Sequence, residues 1–441
     1  MSVRTRWPHL LAAPLLLAAI VQLAPMAARA AVFNVNSTLD QPDIDSIDGI
    51  CRTIANTCTL RAAVMEANVS ASGGDSFIYL PAGLYQLTRP PSGINSPADS
   101  GDLNFAQPAA GVYVIGAGAG STIIDGGGLD RVFKIEAGRF AGLHSLTVRN
   151  GAALGDYGGG ILVLGQAVLS RVTVRDNQAS YGGGVDAKGS YFYMWASTIR
   201  DNRANVVGGG LRGSGDVSVD RSTISGNSAN FGGGVFVEPT TTLTIMESTI
   251  SSNRAGNSGG GIYAQQGTVN VYSSTIAFNM ADSNDDGVGD GGGLVNDQGT
   301  VNQGTVNLRN CLIAGNYIVA FFDWDDCRGT IGSYGRNLFG DTAGCSIVTG
   351  SGEWGLLNDL GTIGPLAKSG GPTQTHQLYP GSNAIDGGDP VDGCLSPTGT
   401  FPVDQRGVPR VHGVRCDVGA YEAGILFTDD FELGDLSAWP N

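Results

Sequence analysis

Charged residues are scarce in this chain, and basic residues are scarcer than acidic ones. Of its 441 residues, 15% are charged, with 25 Lys and Arg against 40 Asp and Glu, so the net charge is −15. A typical soluble domain has about 25% charged residues. The acidic balance argues against binding to nucleic acid or to an anionic membrane by bulk charge, because both require an excess of basic side chains.

Long apolar runs and histidine are also scarce. The one long apolar run, residues 10–23, follows Arg4 and Arg6 and precedes Ala28-Arg29-Ala30. This order is typical of a secretory signal with a small-residue cleavage site, so we expect residues 1–30 to be a signal peptide. No second run reaches the ~20 residues that span a bilayer. The 4 His residues are scattered and indicate no metal site. We therefore expect an exported protein, secreted or held at the cell surface, without a transmembrane span.

Glycine, by contrast, is abundant, with 69 residues, and many of them belong to an internal repeat. A short apolar strand ending in a Thr-hydrophobic or similar step recurs about every 25 residues, and such a period indicates a stack of units that cannot bury their apolar faces alone. The last interval is longer than the others. The marked steps are Leu146–Val148, Val172–Val174, Ser197–Ile199, Ser222–Ile224, Ser248–Ile250, Ser274–Ile276 and Cys311–Ile313.

The pattern within one repeat predicts strands and sharp corners. Apolar and polar residues alternate before each step, as in Val217-Ser218-Val219, which is the period of a strand with one buried face. A second strand follows each Gly-Gly-Gly, and glycine permits a sharp corner. An Asn follows most steps, and we expect these residues to form a hydrogen-bonded turn ladder. They are Asn177, Asn202, Asn227, Asn253, Asn279 and Asn316, while Asn150 is one residue out of register.

These features predict an all-β chain folded as a single right-handed parallel β-helix. No repeat has a helical period, and the Leu-Asn signature of leucine-rich repeats is missing. Earlier coils are expected at residues 77–87, 111–124 and 131–135. A helix over residues 60–67 suits an N-terminal cap, because a solenoid must cover its open end.

The 7 cysteines of an exported chain predict disulfides first. Local pairs are Cys51 with Cys58, Cys327 with Cys345, and Cys394 with Cys416. Cys311 is left over in an inward column of small residues, so we interpret it as a buried free thiol rather than a nucleophile.

The segments that flank the repeats resemble a known family. Residues 58–68 (CTLRAAVMEAN) and 78–85 (IYLPAGLY) resemble its N-terminal Cys-Ser-Leu-Arg-Glu-Ala segment, with Thr59 and Ala62 in place of the usual Ser and Glu. Residues 370–376 (GGPTQTH), 384–388 (AIDGG), 404–407 (DQRG) and 416–422 (CDVGAYE) resemble its closing segment. The family is choice-of-anchor Q, whose repeats are similar to those of polymorphic outer-membrane proteins. The resemblance covers roughly residues 32–423.

This resemblance implies a secreted or cell-surface β-helix with no catalytic residues to carry over. It implies structural roles for Arg61, Asp404 and Arg406, which would hold the cap and the closing segment. With the repeats it predicts five parts: a signal peptide (1–30), an N-terminal cap with the first coils (31–110), the repeats (111–320), a disulfide-bearing C-terminal closing segment (321–423) and an acidic-aromatic tail (424–441).

Outward aromatic residues form the first candidate site. Tyr191, Tyr193 and Trp195 alternate along one strand, and Tyr272 falls in the Trp195 column three coils later. Exposed aromatic rings on a polar surface are suited to stack against sugar rings. In an alternative interpretation, the C-terminal segment folds back over them.

Two acidic groups form further candidates. Asp176 and Asp201 occupy equivalent positions on adjacent coils, about 4.8 Å apart in backbone, close to the ~5 Å carboxyl separation of retaining glycosidases. Arg175 and Arg200 stack beside them, which favours mutual compensation over catalysis. In the insertion 282–290, Asp282, Asn284, Asp286 and Asp290 have the spacing that opens a calcium loop, although Gly293 stands where the bidentate Glu belongs. A solvated acidic loop is the alternative.

Three functions remain open at this point. We expect non-catalytic, adhesin-like binding of a glycan or another cell-surface component, with no cofactor other than calcium. The enzyme alternative is a polysaccharide hydrolase or lyase of the pectin-lyase-like fold that uses Asp176 and Asp201, although the signatures of β-helix pectin hydrolases are absent. The third is a structural surface protein, which would self-associate instead.

Overall fold

The structure is a computed structural model that describes residues 29–69, 73–92, 98–106, 111–297, 299, 304–319, 323–349, 354–356, 363–389, 395–396, 399–400, 403–410 and 412–424. It shows a right-handed parallel β-helix, as the repeats predict. Each complete coil has four strands, which stack on the corresponding strands of the next coil and so form four faces, named sheets A to D. Residues 1–28 of the expected signal peptide (1–30) and residues 425–441 of the expected tail (424–441) lie outside the described residues, while Arg29 and Ala30 belong to the first strand, β1 (Arg29–Asn34).

Sheet A holds the long strands that precede the Thr steps. Its strands are β1 (Arg29–Asn34), β2 (Gly73–Leu80), β5 (Val112–Gly116), β8 (Phe140–His144), β12 (Gln166–Ser170), β16 (Tyr191–Trp195), β20 (Asp216–Asp220), β24 (Thr242–Met246), β28 (Thr268–Tyr272), β32 (Thr305–Arg309), β36 (Cys327–Ser333) and β38 (Cys345–Thr349).

Sheet B holds the Thr steps themselves. Its strands are β3 (Gly83–Gln86), β6 (Thr122–Asp125), β9 (Thr147–Arg149), β13 (Thr173–Arg175), β17 (Thr198–Arg200), β21 (Thr223–Ser225), β25 (Thr249–Ser251), β29 (Thr275–Ala277), β33 (Leu312–Ala314), β37 (Asn337–Phe339) and β39 (Trp354–Leu356).

Sheets D and C complete the coil on either side of the triple glycines. Sheet D contains β10 (Ala152–Tyr157), β14 (Gln178–Tyr181), β18 (Arg203–Val207), β22 (Ser228–Ala229), β26 (Arg254–Ala255), β30 (Met280–Ala281), β34 (Tyr317–Ile318) and β35 (Asp323–Trp324). Sheet C contains β4 (Leu103–Phe105), β7 (Phe133–Ile135), β11 (Ile161–Val163), β15 (Val185–Ala187), β19 (Leu211–Gly213), β23 (Val235–Val237), β27 (Ile262–Gln265) and β31 (Leu294–Asp297), and it merges with sheet A at β36.

The core lies inside the coils, where alternate strand residues point inward. The predicted inward columns of sheet A are buried along the whole repeat region, for example Phe192, Met194 and Val219, each at most 1% exposed. Removing these side chains from water contributes about 25 cal/mol per Å² of apolar surface. This burial is available only after neighbouring coils have stacked.

The predicted Asn ladder is present and buried. Asn227 donates from Nδ2 to Ile199 O (3.0 Å) and to Asn253 Oδ1 (2.9 Å), and its backbone N donates to the same Oδ1 at 3.0 Å. Its own Oδ1 accepts the corresponding bonds from Asn202. The pattern repeats from Asn177 to Asn316, where Asp326 Oδ1 accepts in place of the next Asn. One polar column therefore links successive coils.

The backbone conformation at this corner corrects one expectation. The positive φ belongs to the residue before each ladder Asn, as in Asp176 and Asp201, both at φ 56°. Asn150, at φ 54°, occupies this position in its own coil. Gly151 takes the ladder position, and its N donates to Asn177 Oδ1 at 2.8 Å. Asn150 is therefore not a displaced member of the ladder.

The triple glycines are explained by close contact between coils. A Cβ atom on Gly183 would lie 2.4 Å from Arg203 O, and one on Gly184 would lie 2.9 Å from Asn202 Nδ2. The corner between sheets D and C therefore has no room for side chains at these positions.

The N-terminal cap is the predicted helix, α1 (Leu60–Val69). Thr59 acts as its N-cap, because Thr59 Oγ1 accepts from Ala62 N at 3.1 Å. Arg61 is 1% exposed; it forms an ion pair with Asp40 at 2.6 Å and donates to Ala98 O at 2.8 Å. The structure thus gives Arg61 the structural position that the resemblance implies. No helix within the described ranges is long and apolar enough to cross a membrane.

Two of the predicted disulfides are formed, Cys51–Cys58 and Cys327–Cys345. Cys416 is also disulfide-bonded, while its predicted partner Cys394 lies outside the described residues. Cys311 is a free, fully buried thiol. Burial raises its pKa to about 12, which fits a packed side chain and not a nucleophile.

The closing segment predicted at 321–423 has two parts. Residues 323–349 and 354–356 continue the coils as β35 to β39, while the described residues between 363 and 423, here called the closing segment, pack on the outer surface of sheet B. Its hairpin, β40 (Ile363–Lys368) and β41 (Gln374–Leu378), lies against strands β21 and β25. Thr223 Oγ1 donates to Gln374 O and Thr249 Oγ1 donates to Gln405 Oε1, both at 2.6 Å. A short strand pair, β42 (Leu395–Ser396) and β43 (Gly399–Thr400), follows. The alternative in which this segment covers the aromatic residues of sheet A is therefore wrong for the described residues.

Ion pairs hold the segment in place. Arg410 and Glu247 form a salt bridge in which both side chains are at most 2% exposed. Arg406 pairs with Asp404 at 2.7 Å and lies 3.6 Å over the Tyr421 ring. Breaking a buried pair by removing one partner leaves an uncompensated charge, which costs about 3–5 kcal/mol. Asp404 and Arg406 therefore have the structural position that the resemblance implies.

The Asn ladder generates the first prediction. Replacing Asn227 by Ala removes, in a buried site, the amide that donates to Ile199 O and Asn253 Oδ1 and that accepts from the backbone N and Nδ2 of Asn202. We expect the free energy of unfolding to fall by about 3 kcal/mol or more, measured by guanidinium denaturation. Asn230, an exposed residue of the same coil, is the control, and Asn230→Ala should change it by less than about 0.5 kcal/mol. Similar losses in both variants would contradict a special role for the ladder.

His376 generates a pH-dependent prediction. Its Nδ1–H donates to Gly364 O at 2.7 Å, and the neutral ring accepts at Nε2 from Ser251 Oγ at 2.9 Å. Burial lowers its pKa to about 4, below the ~6.5 of an unfolded chain. The unfolded state therefore takes up the proton first, so about 3 kcal/mol of stability should be lost as the pH falls from about 6.5 to 4.

The measurement is the denaturation midpoint between pH 4 and 7, with limited proteolysis of the closing segment as a local readout. His376→Gln cannot titrate, so its stability should fall less with acid than that of the wild type. Parallel pH profiles in the two proteins would show that His376 does not make this contribution.

Candidate functional site

The outer surface of sheet A is a face that the described part of the closing segment leaves open, and it carries the predicted aromatic residues. Three outward columns run along it, because strand residues alternate and the parallel registers align them from coil to coil. In β16 the outward residues are Tyr191, Tyr193 and Trp195, as predicted, with inward Phe192 and Met194 between them. In β20 the same columns contain Asp216, Ser218 and Asp220.

The three aromatic side chains have different surroundings. Tyr191 is the most accessible, with 38% of its surface exposed. Tyr193 donates its hydroxyl proton to Asp220 Oδ2 at 3.0 Å, and burial together with the Asp220 charge raises its pKa. Tyr191 is therefore the ring best placed to stack on a ligand.

Trp195 is held between two guanidinium groups. Arg171 from the preceding coil lies 5.4 Å from the ring centroid, and Arg221 from the following coil lies 5.1 Å from it. Such cation–π contacts contribute about 0.5–1 kcal/mol each at exposed sites. They compete with a sugar ring for the faces of the indole.

Tyr272 shares the Trp195 column but lies apart from it. Asp220 and Met246 separate the two residues along the column. The structure therefore brings Tyr191, Tyr193 and Trp195 together and places Tyr272 farther along the same face.

A second aromatic cluster on this face was not predicted from the sequence. Strand registers put Phe77 and Tyr113 in the Tyr193 column, Tyr79 and His144 in the Trp195 column, and Phe140 in the Tyr191 column. The rings of Phe77 and Tyr113 stack with centroids 5.1 Å apart. Aligning the first coils with the repeats would have given this signal, since all these residues alternate with buried apolar ones. The aromatic surface therefore begins at the N-terminal coils.

A pocket of about 470 Å³ opens beside this face, at the corner between sheets C and A. The turn 164–165 between β11 and β12 is shorter than the neighbouring turns 136–139 and 188–190, so a depression forms between them. A Cβ on Gly189 would lie 1.7 Å from Gly165 O, and part of the lining is therefore bare backbone. Sequence analysis missed this corner pocket, because it depends on differences in turn length.

The polar side chains of the corner pocket are basic or neutral. Arg139 and Lys188 line it together with Phe140, Gln166 and Ser190, and no acidic residue does. Gln166 Nε2 donates to Ser190 Oγ at 3.3 Å. Because Ser190 precedes Tyr191, the corner pocket lies next to the most exposed ring of β16.

Nearby carboxylates are already paired with other cations. Asp186 accepts from Arg212 at 2.9 Å, and burial raises its pKa to about 6. Asp156 pairs with Arg131 and Glu136 with Lys134, each at 2.7 Å.

Asp176 and Asp201 lie on a different face, at the corner after sheet B. Each forms an ion pair with the preceding arginine, Arg175 or Arg200. On sheet A itself, Asp216 and Asp220 are four residues apart along one strand, or about 13 Å, beyond the 5–9.5 Å between the carboxyl groups of glycosidases. Asp216 and Asp220 therefore lack the spacing of an acid–base pair, and Asp176 and Asp201 are each paired with an arginine.

The predicted calcium ligands are engaged within their own loop. Asp282 Oδ1 accepts from Asp286 N at 3.1 Å, and Asn284 Nδ2 donates to Asp286 Oδ2 at 2.8 Å. Asp290 lies 3.7 Å from Arg328. Across the described ranges, no three His, Cys, Asp or Glu side chains come together as a group able to hold a metal ion. Calcium binding here stays a prediction.

The comparisons with known proteins agree with the fold. The family described as "Right handed beta helix region" matches residues 139–300. A comparison with curated proteins gave no significant match. Among solved structures, the crystal structure of pectate lyase Pel9A is similar with a TM-score of 0.47 and 14% identity, and the alignment covers 91% of this chain and 98% of that chain. The strand topology, with which the family match agrees, makes the chain a right-handed parallel β-helix protein.

The Asp–Arg pairs generate a prediction about catalysis. Because Asp176 and Asp201 only compensate their arginines on the surface, Asp176→Asn and Asp201→Asn should each change the free energy of unfolding by less than about 1 kcal/mol. Neither variant should alter glycan retention. The measurements are the free energy of unfolding by denaturation, retention of the protein by polysaccharides, and release of reducing ends and unsaturated products from those polysaccharides. If the wild type releases product and either variant does not, the pair is catalytic.

Proposed function

We propose that this chain is an exported or cell-surface β-helix that binds a glycan without catalysis, through the outer face of sheet A. The observation that carries the proposal is that the closing segment covers the outer face of sheet B but not that of sheet A. The closing segment covers sheet B with buried contacts, while the aromatic strand β16 on sheet A remains accessible. An uncovered surface of aromatic rings among polar side chains is suited to sugar rings.

Export is supported by the cysteines. Two disulfides are formed, and Cys416 is also disulfide-bonded; such bonds persist in oxidising compartments. The N-terminal sequence pattern of a secretory signal agrees with this location. A glycan at or outside the cell surface is therefore an accessible ligand.

Binding is favoured over catalysis because of the carboxylate positions. The acidic residues on sheet A are too far apart, and Asp176 and Asp201 are paired on another face. Stacking on Tyr191 needs no proton transfer. A neutral or acidic polysaccharide could lie along the strand columns and meet the two aromatic clusters in turn.

The test is retention of the intact chain by a panel of plant, algal and bacterial polysaccharides in affinity electrophoresis. Tyr191→Ala should weaken binding to the retained polysaccharide about tenfold, because stacking of one ring is worth about 0.5–1.5 kcal/mol. Trp195→Ala should have a smaller effect, since Arg171 and Arg221 already lie over its ring.

Trp324→Ala is the matched control, because Trp324 is 52% exposed on sheet D, away from the proposed face. It should bind as the wild type does. Retention by no polysaccharide, or an equal loss in Trp324→Ala and Tyr191→Ala, would reject glycan binding on sheet A. Concentration-dependent self-association without retention would favour the structural alternative instead.

A further inference from the structure

We propose that the corner pocket binds an oxyanion, a carboxylate or sulfate carried by a sugar, through Arg139 and Lys188. This inference rests on the proposed function, because it assigns the chemical class of the glycan bound beside Tyr191. The corner pocket would recognise the charge of the glycan, while Tyr191 on the outer face of sheet A would stack on its sugar ring.

The composition of the lining is the first argument. Acidic residues outnumber basic ones by 40 to 25 in the chain, yet the corner pocket is lined by two basic residues and no acidic one. Neither Arg139 nor Lys188 forms an ion pair within the described residues. Their charges are therefore available to a ligand.

The surroundings of the two cations are the second argument. Lys188 Nζ lies 3.0 Å from the centroid of the Tyr157 ring, and Arg139 Nε donates to Ala106 O at 3.4 Å. The neighbouring carboxylates of Asp156 and Asp186 already pair with Arg131 and Arg212. An anion in the corner pocket would thus displace no existing salt bridge of Arg139 or Lys188, and the Lys188 ammonium would exchange its contact with the Tyr157 ring for the anion.

The shape of the corner pocket is the third argument. Its volume of about 470 Å³ lies in the range of small-molecule sites, about 300–1,000 Å³. Phe140 supplies an apolar surface, and Gln166 and Ser190 supply polar groups for hydroxyls. These are the groups that one sugar unit with a charged substituent requires, and Tyr191 next to them can stack on the adjoining unit.

The test uses three monosaccharides as probes: glucose, glucuronate and glucose 6-sulfate. Ligand-observed NMR titration of the intact chain should show the charged sugars binding about tenfold or more tightly than glucose, since a hydrogen bond to a charged group is worth about 1.5–3 kcal/mol. The ratio between glucuronate and glucose 6-sulfate then identifies the preferred oxyanion. Added salt should reduce this preference.

Arg139→Gln and Lys188→Gln should each lower the affinity for the charged sugar about tenfold and leave the affinity for glucose unchanged. Arg254→Gln is the matched control, because Arg254 is an exposed arginine of β26 on sheet D, away from the corner pocket and from sheet A. It should retain the preference. Circular dichroism of each variant checks that the β-helix remains folded.

The inference is overturned if glucose binds as tightly as the charged sugars, if none of the three binds, or if Arg254→Gln loses as much affinity for the charged sugar as Lys188→Gln. Its failure is distinguishable from that of the proposed function. Retention of a neutral polysaccharide that depends on Tyr191 would uphold glycan binding while the corner pocket fails. Binding of glucuronate that depends on Lys188, without retention of any polysaccharide, would uphold the anion site alone.

Discussion

The buried asparagine column is the interaction on which the rest of the molecule depends. Each ladder Asn donates to a carbonyl of the coil before it and to the next Asn, while its own oxygen accepts from the preceding one. A buried amide left without these partners would be costly, so only one stacking register satisfies the column. That register aligns the inward apolar residues, the positive-φ corners and the outward columns. The buried Asn column therefore sets the positions of the outward side chains on the surface.

The two broad faces of the coil serve different purposes, and residue size explains the difference. On sheet B the outward column changes from Arg149, Arg175 and Arg200 to Ser225, Ser251, Ala277 and Ala314. The small residues lie where the closing segment packs, and the arginines lie where it does not. On sheet A the outward aromatic side chains lie mainly in the first coils and in β16, and Asp, Ser, Thr and Asn fill most outward positions from β20 to β32, yet the described part of the closing segment does not cover this face. The closing segment thus stabilises one face and leaves the other available.

Most of the fold could be predicted from the sequence, because the repeat carries its own register. The Thr steps, the triple glycines and the Asn column each mark one corner, and α1 was indicated by the residues from Leu60 to Ala67. Asn150 was assigned to the ladder out of register, whereas it holds the positive-φ position of its corner and Gly151 occupies the ladder position. The sequence analysis did not predict which sheet the closing segment covers. The change from Arg200 to Ser225 in the outward column of sheet B would have indicated this sheet.

The candidate site was less predictable than the fold. Alternation placed Tyr191, Tyr193 and Trp195 on the surface, but not the guanidinium groups over Trp195, which come from other coils. The corner pocket arises from unequal turn lengths, and sequence spacing alone does not show which side chains then line a depression. Phe77, Tyr79 and Tyr113 were missed because the first coils lack the Gly and Asn markers. The surroundings of each surface side chain depend on contacts between coils, which the sequence pattern within one coil does not show.

The short turn 164–165 has an evolutionary consequence. In a solenoid, residues added to or removed from one turn alter the surface of that coil, while the inward columns and the Asn ladder continue undisturbed. A depression could therefore arise, deepen or move to another coil by small insertions and deletions, without a new core having to be selected. The same scaffold could in this way acquire different ligands among related chains, with the site located by turn length and its specificity set by the few side chains around it.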